Sequence, residues 1–340
     1  MDWTSWYERL RAWSLRWRLG RIAAVGIVLT ALVGVAFANP SWWKREWQRT
    51  DFTKHSVELH EITSGGPSKD GIPSIDAPSF VAVADVDDLG ENEPVIAVSI
   101  NGENRAYPLR ILMWHEIVND TVGGIPITIT YCPLCNSSIV FDRRVRGQVL
   151  DFGTTGKLRN SDLVMYDRQT ESWWQQFIGE AIVGEMTGEK LTMFPSRVES
   201  FARYRKRFPE SKVLVPNNAN IRDYGTNPYV GYDVRSRPYP MFTGDLPDDI
   251  EPMVRVIAVE GEAWSLPLLR EKGTITAGDL ILGWEEGLNS ALHSNVIAEG
   301  RDVGNVVVQR RRGDVLDDVV HDVTFAFVFN AFFPDGVIHQ

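Results

Sequence analysis

The feature that most constrains the fold of this chain is that a set of β-like runs and turns recurs along it. Val95-Ile96-Ala97-Val98, followed by Gly102-Glu103 and Pro108-Leu109, is echoed by Val256-Ile257-Ala258-Val259, Gly261-Glu262 and Pro267-Leu268. Asn136-Ser137 returns as Asn289-Ser290, and Phe208-Pro209-Glu210 as Phe333-Pro334-Asp335. The offset falls from about 160 to about 125 residues, so the second copy is the shorter. The first copy carries β signals: an apolar run over 95–100 ends in Asn101-Gly102, a hairpin turn pair. Gly123-Gly124 leads into a second run over 125–131, and 138–142 and 148–152 read as further strands. Pro108 opens a short helix expected to reach residue 119, and a second helix is expected over 196–208. The expectation is a mainly β (α+β) fold of two pseudo-repeated β-rich units with a few short helices, preceded by one N-terminal transmembrane helix.

The N-terminus supplies that last element. Residues 22–38 are apolar and uncharged, and as a helix would extend about 25 Å. Arg9, Arg11, Arg16, Arg18 and Arg21 precede them, with Trp13 and Trp17 on one side and Trp42, Trp43 and Trp47 on the other. Basic residues before a span and aromatics at both interfaces place the N-terminus in the cytoplasm and the remainder outside it. Ala36-Phe37-Ala38 also fits a signal-peptide cleavage pattern, which would export the same remainder. The expected organisation is a cytoplasmic basic lead (1–21), a single-pass anchor in the cytoplasmic membrane (22–38), a tether (39–76), a first β-rich unit (77–212), a Pro/Asn/Gly/Asp-rich connection (213–249) and a second β-rich unit (250–340). A net charge of −10 argues against a nucleic-acid partner. The membrane is the one partner expected, and protein partners stay unassigned.

Both cysteines of the chain, Cys132 and Cys135, stand three apart behind a β-like run. The second copy has Glu285 and Leu288 at the aligned positions, so a site belongs to the first. Two thiolates so spaced can hold one soft ion, and a four-coordinate site needs further ligands. His115 is the imidazole candidate, and Met165 and Met186 offer thioethers suited to copper. Cys-Pro-x-Cys is also a thiol–disulfide exchange pattern where the first cysteine caps a helix, which lowers its pKa; here the residues after Cys135 read as a strand. A single structural disulfide is the third reading, although so small a loop gains little chain entropy from closure.

The block 152–190, largely missing from the second copy, is expected to close over the site. Gly153, Thr155 and Gly156 form a turn that lacks the spacing of a phosphate loop. Trp173 and Gln175 are candidate pocket walls, with Tyr131, Asn136 and Tyr166. Asp142, Arg143 and Asp167 would rim the pocket or pair on strand faces. No Ser-His-Asp order or His-Glu-x-x-His motif is present.

Several motifs in order carry a resemblance: IDAPSF (75–80), NG-x-x-RAYPL (101–109), E-x-VND (116–120), YCPLCNSS (131–138) and FG-x-TGKLRNSDLVMYDR-x-TESWW (152–174). From about Gly71 to the C-terminus the chain resembles a prokaryotic family catalogued as domain of unknown function 3179. The resemblance implies a mostly β, exported or membrane-anchored protein and names no reaction. Cys-x-x-Cys followed by Asp142-Arg143, Gln148-Val149-Leu150 and a Gly turn is also similar to the copper-carrying accessory lipoprotein of nitrous-oxide reductase maturation. Asn136-Ser137 replaces the Gly-Met found after the cysteines there. The functional expectation is soft-metal binding through the cysteines, with copper or zinc as the ion. Thiol–disulfide exchange and a non-enzymatic envelope module are the alternatives.

Overall fold

Each short apolar run with β-branched residues becomes a strand, and each Asn/Gly pair a reversal, so the chain folds as a succession of hairpins. The computed structural model describes residues 40–340. The protein is mainly β, with five sheets of four or five strands in a propeller-like arrangement. Among the described residues no helix is long and apolar enough to cross a membrane. The expected lead and span, 1–38, lie outside those residues.

The first copy begins with the antiparallel pair Pro94–Ile100 and Glu103–Pro108, flanked by Ser196–Ser200 on one side and by the parallel strand Lys212–Val215 on the other. In the second copy Arg255–Val259 and Glu262–Ser265 pair in the same sense, flanked by Asp322–Phe325 and the parallel Ile338–His339. A seven-residue helix follows the second strand each time, Leu109–His115 and Leu266–Lys272. Another links the two flanking strands, Phe201–Arg207 and Ala326–Phe332. A three-stranded meander comes next: Ile117–Val122, Ile125–Cys132 and Ser137–Asp142 in one copy, Thr274–Ala277, Leu280–Glu285 and Asn305–Arg312 in the other.

Both helix expectations ran too long. The first stops at His115, because residue 116 takes a positive φ and 117–122 pair with 125–130 as a strand. The second begins at Phe201: Ser196–Ser200 pairs with Pro94–Ile100, and the Ser200 hydroxyl caps the helix by accepting the Arg203 N–H.

The block absent from the second copy makes a sheet of its own. Phe152–Arg159, Asp162–Asp167, Trp173–Gln175 and Glu180–Val183 run antiparallel in sequence order. Its outer edge is completed by Ile62–Ser64, from the segment expected as a tether. The described part of that segment is built into the body. Trp43, Trp47 and Phe52 close around Trp173 with ring centroids 5.0, 5.2 and 5.3 Å away, and Lys69 lies 4.4 Å over the Trp47 ring while pairing with Glu171 at 2.8 Å. Burying several large aromatics outweighs the entropy of fixing a polar, turn-rich stretch.

The core runs through the first copy. The strand Ile125–Cys132 is central in its sheet and buried along its last six positions. Ile127, Ile129 and Tyr131 join the apolar cluster on one face, while Thr130 on the other accepts a hydrogen bond from the Gln176 amide. This strand ends at the cysteines.

Candidate functional site

Strand pairing closes at Cys132 opposite Ser137, and the four residues between make a tight reversal. The Cys135 N–H donates to the Cys132 carbonyl and the Asn136 N–H to that of Pro133, both at 3.2 Å, and Asn136 closes the turn in the left-handed region at φ 52°. Asparagine tolerates that conformation better than most residues. Cys132 thus ends a strand and caps no helix, so the activation expected of an exchange cysteine is missing. Both thiols are free, buried and 3.4 Å apart, and burial pushes both above their ordinary range.

The second copy holds this turn in shape. The Thr324 hydroxyl donates to the Cys135 carbonyl (2.8 Å), the Asn136 amide to the Val323 carbonyl (2.7 Å), and the Ser138 N–H to the Asp322 carboxylate (2.9 Å). Burial raises the Asp322 carboxyl to about 7.

The third component comes from the extra sheet. Its first hairpin turns on Asn160 and Ser161, both left-handed (φ 52° and 64°), the twist a two-residue β-turn needs. The turn carries the Ser161 carbonyl to the thiols, which lie 3.6 and 3.5 Å from it, and sets Asp162 beside them. One ligand atom each of Cys132, Cys135 and Asp162 lies within 4.8 Å of the others, all three residues buried. Oδ2 of Asp162 accepts from the Gln175 amide (2.6 Å) and the Phe177 N–H (2.9 Å), while Oδ1 has no hydrogen-bond partner among the described residues. Burial raises this carboxyl to about 6.

A fourth acid stands close by. Glu116 follows the helix Leu109–His115 with φ 57° and ψ −32°, its N–H bonded to the Leu112 carbonyl. The equivalent residue of the second copy is Gly273, with φ 69°, ψ −43° and the same bond to Leu269. In each copy its carbonyl accepts from the meander strand, at Tyr131 N–H or Trp284 N–H. A glutamate in a glycine conformation costs about 1–2 kcal/mol. Burial, then the charge of Asp162, raises Glu116 to about 8, and Glu116 in turn disfavours the Cys132 thiolate.

Of the residues expected at the site, Cys132 and Cys135 form its centre. Gln175 orients Asp162, Asn136 shapes the turn, and Tyr131 adjoins it. His115 is elsewhere: its Nδ1 is 2.7 Å from the Pro73 carbonyl and its Nε2 2.7 Å from the Tyr224 hydroxyl, which engages both ring nitrogens. Strand alternation puts Met165 on the face opposite Asp162. Met186 is buried in the turn beside Ser172, whose hydroxyl accepts its N–H. Asp142 pairs with Arg144, and Arg143 with Asp151. Asp167 accepts from Thr170 and the Trp174 indole, Tyr166 donates to Asp70, and Trp173 packs in the aromatic cluster. The Thr155 hydroxyl donates to the Val164 carbonyl. Gly153 and Gly156 face backbone and side chains of the 67–70 segment too closely to admit a Cβ. These last residues build the sheet and do not line the dithiol.

Asp162 and Glu116 were not singled out from the sequence. Asp162 had a signal, an Asn-Ser turn pair running straight into the apolar strand Leu163-Val164-Met165. Glu116 had one too, a glutamate aligned with the glycine after the matching helix.

No curated protein and no solved structure matches this chain. One family profile, described as protein of unknown function (DUF3179), covers residues 69–336. That span takes in every residue of the dithiol site and all five sheets except the edge strands Ile62–Ser64 and Ile338–His339, so the chain belongs to the DUF3179 family.

Proposed function

We propose that the protein binds a borderline-to-soft divalent metal ion through the Cys132 and Cys135 thiolates and a carboxylate oxygen of Asp162. The observation that carries this reading is the gathering of four buried acids, Cys132, Cys135, Asp162 and Glu116, where Asp162 and Glu116 have no salt-bridge partner among the described residues. Ionised groups removed from water are costly unless paired or bound to a metal. A cation relieves all four at once and turns thiols that are poor nucleophiles into ligands. Two sulfurs with a carboxylate oxygen suit zinc better than Cu(I), which favours an all-sulfur set. Oδ1 of Asp162 is free to coordinate, and its other oxygen is fixed by Gln175 and Phe177, the outer support that metal ligands use.

The wider setting belongs to the same proposal. Residues 22–38, with arginines before them and tryptophans on both sides, serve as a membrane anchor that leaves the β body outside the cytoplasm. The units 77–212 and 250–340 are copies of one ancestor joined by 213–249, which the matching strand orders support. The first test is metal content and free-thiol count on the anaerobically purified full chain. One equivalent of zinc or copper, lost in Cys132→Ser and Asp162→Asn, supports the reading. A metal-free protein that takes up neither ion when both are supplied overturns it.

A further inference from the structure

A second buried polar cluster, Arg255 with Asp233 and Ser290, borders the cavity that Tyr131 lines. Arg255 opens the strand Arg255–Val259 and is 6% exposed. Its Nη2 donates to the Ser290 hydroxyl at 2.8 Å and sits 3.2 Å from Oδ2 of Asp233. Its Nη1 has no hydrogen-bond partner among the described residues. Asp233 is shared, since the same oxygen accepts from Ser290 at 2.6 Å and from Arg301 at 3.2 Å. One carboxylate therefore faces two guanidinium groups, and the cluster keeps a positive charge.

Arg255 lies between two cavities. One, of about 30 Å3, it shares with Tyr131, whose buried hydroxyl also lacks a partner. The other, of about 410 Å3, is rimmed by the exposed Arg235, Arg270 and Arg301. Three acids line that larger pocket. Asp233 gives Oδ2 to its arginines and Ser290, and its Oδ1 has no hydrogen-bond partner among the described residues. Asp302 is committed to the backbone, accepting from the N–H groups of Gly287, Leu288 and Gly304 at 2.8–3.1 Å. Glu251 is the exposed acid of the three whose side chain makes no hydrogen bond among the described residues, and the lining as a whole sets four arginines against three carboxylates.

Arg255 Nη1 can only donate, whereas the Tyr131 hydroxyl can donate or accept. Leaving such donors buried and unmatched is unfavourable, and water would satisfy them without balancing the charge. A planar guanidinium fork backed by further arginines is the arrangement that recognises carboxylate and phosphate.

We propose that this pocket binds a small oxyanion, a carboxylate or phosphate group on a compact molecule, with Arg255 as its floor and Arg270 and Arg301 as its rim. The site stands apart from the metal reading and does not require it. Arg255 lines both cavities, so it connects the anion pocket to the small cavity beside Tyr131, the residue before Cys132.

The test is calorimetric titration of the full chain with inorganic phosphate and with citrate, at constant ionic strength in chloride. Saturable binding of one equivalent of either is expected. Phosphate alone would identify a phosphate site, and citrate alone a carboxylate site. Arg270→Ala and Arg301→Ala should each weaken binding by about tenfold, as loss of a charge-assisted contact does. Arg255→Lys should abolish it, and Glu251→Gln should tighten it severalfold. Neither anion binding below about 20 mM, a concentration at which a built multi-arginine site would be occupied, overturns the proposal. So does equal affinity in both rim variants and Glu251→Gln. If Arg255→Lys fails to fold, the exposed rim variants decide the matter alone.

Discussion

Neutralising Glu116 should stabilise the metal-free protein, and the gain should grow with pH. An unfolded glutamate ionises near 4.5, whereas the folded environment raises Glu116 to about 8. Between those values the folded chain must hold a proton that the unfolded chain releases. Each pH unit in that window therefore removes about 1.36 kcal/mol of stability. The penalty is absent below pH 4.5, accumulates as pH rises, and levels off above pH 8. At pH 7 it amounts to about 3 kcal/mol, and at pH 5 to less than about 1 kcal/mol. Glu116→Gln keeps the size and the left-handed backbone, so strain cancels in the comparison and the proton cost is isolated. Urea unfolding followed by tryptophan fluorescence, with chelator present, at pH 5, 6 and 7 measures it. The variant should match the parent closely at pH 5 and exceed it by about 3 kcal/mol at pH 7. A gain independent of pH, or a less stable variant at pH 7, would refute the argument that Glu116 is a buried, unpaired acid.

Asp162→Asn should show the same sign of effect in a lower window, between pH 4 and 6, because that carboxyl is raised only to about 6; unfolding midpoints of metal-free protein across that range would show it. Trp47→Ala should cost about 3–5 kcal/mol in urea unfolding, since Trp47 is fully buried against Trp173 and Tyr166; a loss below about 1 kcal/mol would mean that the 43–52 segment does not dock in solution. Gly156→Ala should destabilise by at least about 2 kcal/mol in the same assay, because φ is +68° and a Cβ would sit 2.0 Å from the Pro67 carbonyl oxygen.

Much of this architecture is legible in the sequence wherever one local signal acts alone. The run over 125–131 and the Asn101-Gly102 turn are seen directly because apolar alternation and turn chemistry agree. The errors occur where two signals overlap. Residues 196–200 read as helix because Val198 and Phe201 share helical spacing, yet pairing with Pro94–Ile100 claims them as strand. The 39–76 stretch reads as tether because it is polar and rich in turns, yet three aromatics within it find a shared pocket. At the site the cysteines announce themselves, being the two of their kind. Asp162 does not, because it comes from a hairpin 27 residues beyond Cys135, and its meaning depends on how that sheet folds back. His115 fails as a ligand for a reason no spacing reveals, since a loop carbonyl and a tyrosine take both nitrogens.

The bracing of the cysteine turn by Val323 and Thr324 has a consequence for synthesis. The bond from Thr324 to Cys135 spans 189 residues, and that from Val323 to Asn136 spans 187. At roughly 5–20 residues per second, the cysteines are made about 10–40 s before the strand that braces their turn exists. Throughout that interval the turn lacks its bonds to Val323 and Thr324. The turn that carries the cysteines therefore gains its bracing only after nearly all of the described chain exists.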